Sequence, residues 1–246
     1  MKTCAADLHV HTALSPCAEN DMTPLDIVAW AVDEGLHMIA VCDHNSARNA
    51  AAVQDAAGDF LCVLAGIEIT TVEECHVLGL FPDGASAART GAAVSATLPE
   101  SEPGYEHFFG DQLLLGPVDE PRGHETRALA MASTYDVGDA VNLVHSHGGL
   151  AIAAHVDRKS FGVVSQLGFF PADAGFDAVE ISRHVAPGSA TEIEIAGFGL
   201  PVLHSSDAHY LDDIGAARTT LRCEEATFTE LALALRNVDG RSVGGA

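Results

Sequence analysis

Apolar and polar positions along this chain fall into blocks. Short apolar runs, "CAADLHV", "MIAVC", "FLCVLAGIEIT" and "HVLGLF", come first, and "LAIAA", "AVEIS", "PVLH" and "TTLRC" follow further on. Unbroken runs of this length read as strands buried on both faces, the pattern of a largely parallel sheet or barrel covered by helices. Helical stretches lie between them. Pro24 suits a first helical turn with Thr23 as cap and Gly35 as terminator, and "SARNAAAVQDAAG" predicts a second helix capped by Ser46. Residues 82–137 break the rhythm with Gly, Pro, Glu and a hairpin signature, "GDQLLLGPVDEPRGHE". They are read as an insertion or cap within one domain spanning 1–246. The closing "GRSVGGA" reads as a frayed tail.

Composition narrows the class. Of 246 residues, 48% are hydrophobic and 19% charged, which is the balance of a folded globular chain. The sequence offers no apolar run long enough to span a bilayer and no signal-peptide core near its start, so a cytoplasmic location without membrane contact is expected. The six cysteines form no CxxC pair, and Cys4, Cys42 and Cys62 fall in or beside strands, which predicts reduced thiols. A formal charge of −23 repels polyanions. Extended nucleic-acid binding is therefore not expected, whereas a small phosphorylated substrate could be held by clustered cations.

The candidate chemistry sits where the apolar runs end. His9 and His11 close the first run, Asp43 and His44 the second, Glu68 the third; His76 opens the fourth, His155 follows "LAIAA", and Asp207 and His209 follow "PVLH". Residues i and i+2 of a strand share a face roughly 7 Å apart, so His9 and His11 can converge on one ion. In a βα barrel the C-terminal strand ends meet at one mouth, which would gather the remainder. Imidazole nitrogen with carboxylate oxygen suits zinc, manganese or iron. Glu180 reads as a buried acid that supports the ligands or the structure and is not itself catalytic. His145 and His147 repeat the His-X-His spelling on a predicted helix, where two such positions diverge.

Together "DLHVHT", "VCDHN", "AGIE", "HVLGLF", "AAHVDR" and "SSDAH" resemble the motifs of the PHP (polymerase and histidinol phosphatase) superfamily, in order from residue 7 to 209. The resemblance implies an α/β fold, a distorted (β/α)7 barrel of PHP type, acting as a stand-alone metal-dependent phosphoric ester hydrolase. It implies a two- or three-metal site whose bridging hydroxide attacks a small phosphorylated metabolite or nucleotide. The first ion would take His9, His11, Glu68 and Asp207. The second would share Glu68 and add His76 and His155, and the third would take His44, His209 and a loop residue. Counting back from Pro24 puts Glu19 at that loop position, with Asp21 or Cys17 as alternatives. Asp43, Asp207 or a ligand histidine such as His209 would relay the proton, and Arg158 and Arg183 would bind substrate phosphate. Other readings of the same pattern are a histidinol-phosphate phosphatase, a DNA 3′-exonuclease-like module and a non-catalytic metal-binding module. An amidohydrolase is disfavoured because the only lysines are Lys2 and Lys159.

Overall fold

A computed structural model describes residues 1–186 and 188–244. Strands β1 (Lys2–Val10), β2 (Met38–Val41) and β3 (Cys62–Thr70) run parallel, and β4 (His76–Phe81) returns antiparallel after a tight turn. The chain then makes a short hairpin, β5 (Leu113–Leu115) with β6 (Pro121–His124), away from the main sheet. β7 (Leu150–Ala153) pairs antiparallel to β4, and β8 (Ala178–Ser182) and β9 (Val202–Ser205) continue in parallel. Val10 and Ala208 form a parallel bridge, with His11 N donating to Ala208 O at 3.0 Å, so the first and last of these seven strands meet. The result is the expected distorted seven-stranded barrel. Strands β10 (Thr219–Cys223) and β11 (Ser242–Val243) extend the sheet beyond β1. The tail is thus paired as far as Val243, and Gly245 and Ala246 lie outside the described residues.

Strand alternation explains both the core and the site. Inside the barrel, Leu8, Cys42, Leu64, Leu78, Ile152 and Leu203 pack together. The same inward face continues two or four residues on to Glu68 in β3, His76 in β4 and Glu180 in β8. An apolar floor therefore gives way to a polar rim without any change of face. In β1 the register shifts between Asp7 and Val10, and this irregularity is what brings His9 onto the inner side after Leu8. Gly66 allows the close approach at this level, since a Cβ there would lie 2.6 Å from Cys42 Sγ and 2.9 Å from Val41 O.

Helices α1 (Pro24–Asp33), α2 (Ala50–Ala57), α3 (Gly84–Ser95), α4 (Glu106–Phe109), α5 (Val137–Ser146), α6 (Val163–Leu167), α7 (Ala190–Ala196) and α8 (Phe228–Leu235) complete the fold. Thr23 and Gly35 bound α1 as expected. The second helix starts later than the sequence suggests: its N-cap is Asn49, whose amide donates to Thr12 Oγ1 and Leu113 O, while Ser46 stays in the preceding loop. The segment 82–137 is not uniformly a cap. Its first part, α3, buries Ala87, Thr90 and Val94 against the barrel strands, and the mouth is bordered from this segment by Phe108 and Phe109 of α4 with Leu129 and Ala130.

Candidate metal centre

The inward-facing donors meet at the mouth. His9 Nε2 and His11 Nε2 are 3.1 Å apart; Asp207 Oδ1 lies 3.0 Å from His11 and 3.4 Å from His9; Glu68 Oε2 lies 3.4 and 3.5 Å from the same two nitrogens. A tetrahedron with bonds of about 2.0–2.1 Å has edges of roughly 3.3–3.4 Å. Four buried ligand atoms at this spacing fit a divalent ion. Glu68 Oε2 accepts no well-aligned hydrogen bond, with His44 Nδ1 at 2.9 Å outside hydrogen-bond geometry, which is costly for a buried carboxylate oxygen unless a cation faces it.

A second group surrounds the other end of Glu68. His76 Nδ1 lies 2.7 Å from Oε1 and His155 Nε2 3.2 Å from it, while His44 Nδ1 lies 2.9 Å from Oε2. His11, His44 and His209 form a third group. The expected ligands therefore converge, with one exception. Glu19 is exposed and its side chain joins no donor group among the described residues; only its backbone N–H reaches the site, donating to His209 O. Cys17 of the same loop borders the mouth with His44 and His209, whose imidazoles outweigh burial and bring its thiol down to about 6.

Behind the donors stands a layer that orients them. Glu180 holds His9 Nδ1 at 3.1 Å with both oxygens and accepts from His155 N, so this buried acid aims the His9 ring and fixes the backbone of His155. Ser15 Oγ bonds His11 Nδ1 at 2.8 Å and donates to Asp43. Asp43 also accepts from Thr12 N and Thr12 Oγ1, and burial raises its carboxyl above its usual range. These bonds tie the loop after β1 to the end of β2. Ser15 and Thr12 left no mark in the sequence pattern, because such partners follow from three-dimensional proximity alone.

Charge is balanced inside the cluster. Burial opposes ionisation of Glu68 and Asp207, yet the surrounding imidazoles hold both carboxyls well below their ordinary values. Burial would likewise lower His9, but Glu180, Glu68 and Asp207 raise it well above 6.5. His76 falls to about 4, through burial outweighing Glu68. Two backbones in the cluster are in the left-handed region, His155 at φ 26° and Asp207 at φ 52°. Strain of this kind concentrates at functional sites.

Above the donors opens a cavity of about 360 Å³, bordered by Pro16, Phe108, Phe109, Phe161, Leu129 and Arg158. Arg158 lies at this mouth with Nη1 2.6 Å from Asp207 Oδ2. Arg183 does not line it; it pairs with Asp213, so the expected second phosphate-binding arginine is committed to an ion pair instead. His145 bonds Asp177 and His147 bonds Thr90, both on the outer helix face.

A seven-stranded barrel whose mouth gathers histidines and carboxylates in ion-sized groups defines the chain as a metal-binding α/β barrel. The PHP-associated family PHP_C matches residues 194–239, which include Asp207 and His209. The uncharacterised protein YqxK of Bacillus subtilis is 36% identical over 123 residues, covering 47% of this chain and 31% of that protein. A 5′-3′ exoribonuclease of Haemophilus influenzae is 23% identical over 188 residues, covering 61% and 68%. Among solved structures, the lesion-specific endonuclease Q of Pyrococcus furiosus superposes with a TM-score of 0.74 at 16% identity, covering 98% of this chain and 58% of its own. A protein assigned as a metal-dependent phosphoesterase from Bifidobacterium adolescentis gives 0.57 at 19% identity, covering 83% and 87%. The resemblance of the motifs to the PHP superfamily thus has a counterpart in the PHP-associated match over residues 194–239 and in the shared fold. The chain spans about a third of YqxK and under two thirds of endonuclease Q.

One expectation is overturned by these structures. Endonuclease Q has also been solved with a 27-mer duplex carrying an abasic lesion at its active site, with a TM-score of 0.70 to this chain. The fold therefore accommodates an extended nucleic acid, and −23 over the whole chain is no ground for excluding one. Net charge misleads because it is not charge at the mouth: among the described residues the only acids bordering the cavity are Glu68 and Asp207, both buried among histidines.

Proposed function

We propose that this chain is a metal-dependent phosphoesterase whose substrate is a phosphodiester of a nucleic acid, presented as an unstacked nucleotide at the barrel mouth. The observation carrying this reading is the aromatic rim: Phe108 is 84% exposed and Phe161 40% exposed beside a cavity of about 360 Å³ that ends on the donor cluster. Exposed aromatic rings at a mouth suit bases, since stacking contributes about 1–3 kcal/mol per base whatever its identity. The exoribonuclease and endonuclease names among similar proteins are in keeping with it.

His9, His11, Glu68 and Asp207 would hold one ion, His76 and His155 with Glu68 a second, and His44 and His209 an outer one. Bound divalent ions supply Lewis acidity and a nucleophile at neutral pH. Glu68 and Asp207 are kept ionised by their imidazole neighbours and so are ready ligands at neutral pH. Arg158 is placed to leave Asp207 for a phosphate oxygen, and His209 faces the cavity where a leaving oxygen would take a proton. The six free cysteines suit a reducing, cytoplasmic setting.

The test is hydrolysis of end-labelled RNA and DNA, single-stranded and duplex, beside a phosphomonoester panel, after loading with zinc, manganese or iron. Oligonucleotide cleavage is expected, with His9→Ala lowering kcat at least about 100-fold and Arg158→Ala raising KM about tenfold. Turnover confined to monoesters would remove the nucleic-acid reading.

A further inference from the structure

At the end of the barrel away from the donors, β1 and β10 bring two thiols together. The ladder sets Lys2 opposite Cys223 and Cys4 opposite Leu221, so the two cysteines are diagonal neighbours on one face, packed in a core with Ala6, Leu8 and Leu221. Their sulfurs lie 3.1 Å apart, with the Cys223 thiol donating to Cys4. A disulfide bond measures about 2.05 Å, so roughly 1 Å separates this contact from a covalent one. Cys4 precedes His9 by roughly 17 Å of extended strand at the usual rise per residue. Neither cysteine belongs to a donor group among the described residues.

Both thiols are buried, and a short helix supplies much of their cover. Leu231, Ala234 and Leu235 of α8 close the cluster that contains Cys4 and Cys223, with Phe228 and Val243 packed at its margin. The helix is fastened at its start by Thr227, which accepts from Glu230 N at 3.2 Å, and by Arg241, whose Nη2 lies 2.8 Å from Glu230 Oε1. It packs against β10 and β11, which lie beyond the seven closing strands, so its lifting is a local opening that leaves the barrel intact. A cavity of about 660 Å³, bordered by Ala234, Leu235, Thr219, Thr220 and Val243, flanks it and gives it room to move. While α8 is closed, burial pushes the Cys223 thiol up to about 12, and the contact with Cys4 adds to this. A thiol held there is a poor nucleophile at neutral pH, so the closed helix protects the pair.

Independently of the metal centre, we infer that Cys4 and Cys223 form a redox-modification site whose co-reactant is a low-molecular-weight disulfide. When α8 lifts, the Cys223 thiolate attacks one sulfur of that disulfide and releases its first thiol. The Cys4 thiolate then attacks the mixed bond at Cys223, which frees the second thiol and closes Cys4 onto Cys223. Two protein thiols are oxidised, one small disulfide is reduced to two thiols, and the two protein thiol protons end on the departing sulfurs. The new bond staples β10 to β1 and encloses some two hundred residues, a constraint that acts mainly on the unfolded chain.

The experiment exposes the full, reduced chain to glutathione disulfide across a series of sub-denaturing urea concentrations, with thiol counting and peptide mapping by trypsin and a protease that cuts before Asp. Two thiols should pass slowly into a Cys4–Cys223 bond, faster as urea rises, whereas the exposed Cys17 takes up glutathione at once. Tm of the bonded chain should rise by about 5–10 °C, a gain that a reductant removes and that Cys4→Ala and Cys223→Ala lack. Wild type compared with itself, reduced and oxidised, gives the answer even if either variant folds poorly. Separate glutathione adducts on the two cysteines, a bond from Cys4 to Cys62, or thiols still reduced at urea concentrations where the amides of α8 exchange freely would each overturn the inference, as would a bonded chain with Tm unchanged or lowered. Each of these results leaves the metal centre standing.

Discussion

Both nitrogens of His9 are committed, Nδ1 to Glu180 and Nε2 to the donor cluster. A histidine in this state has no tautomeric freedom: the carboxylate fixes which nitrogen is protonated and leaves the other lone pair aimed at the ion. Replacing Glu180 by Gln keeps the volume but weakens that control over His9 and the bond from His155 N. Metal affinity of Glu180→Gln should fall about 10–100-fold while the protein stays folded, as competition with a calibrated chelator would reveal. Proton release offers a second check. His44 is raised to about 10, since Glu68 and Cys17 outweigh the burial that lowers it, so below that pH its ring carries a proton. Ligation displaces that proton, so metal uptake should acidify a weakly buffered solution and apparent affinity should rise with pH. Calorimetry in two buffers of different ionisation enthalpy measures the proton count.

At the scale of the element, the strand end after β9 is held by Asp7 of β1. Its carboxylate accepts from Ser206 N at 3.0 Å, Ser206 Oγ at 2.6 Å and Gly215 N at 2.8 Å. Burial pushes Asp7 up to about 6 despite these bonds. A folded-state value above the ordinary 3.8 means that the native state takes up this proton first, so Asp7 detracts from stability at neutral pH and that penalty lifts as pH falls through about 6. Urea unfolding of metal-stripped protein should show Asp7→Asn less stable than wild type, with the gap wider at pH 5 than at pH 7 by about 1.4 kcal/mol. Sequence pattern found the elements and the donors at their ends, because buried strands write themselves as apolar runs and ligand types are few. It mistook Ser46 for a cap, since Asn49 is drawn to Thr12 and Leu113 from distant segments. Counting from Pro24 put Glu19 first at the loop position, with Asp21 and Cys17 as alternatives, and could not foresee that the loop would be pinned to Phe109 with the Glu19 side chain exposed. Arg183 was lost to Asp213, a partner thirty residues away with no signature of its own.

For the whole molecule, barrel closure rests on little backbone. The seam between β1 and β9 is one bridge, Val10 with Ala208, flanked by His11 N to Ala208 O at 3.0 Å and Ala208 N to His9 O at 3.3 Å. His9, His11 and Asp207 lie on both sides of it, so an ion they share spans the seam. Saturating metal should raise Tm by about 5–10 °C per ion, and a chelator should reverse this. Hydrogen exchange should speed first at His11 and Ala208 on chelation, ahead of the amides of β3. The seam also gives the centre a birth order. A ribosome delivers His9 and His11 together, yet their carboxylate partner Asp207 emerges only some two hundred residues later. A nascent chain therefore cannot complete its inner ion cage until nearly the whole barrel has been synthesised, which makes metal capture a late checkpoint on a finished fold and not a seed for it.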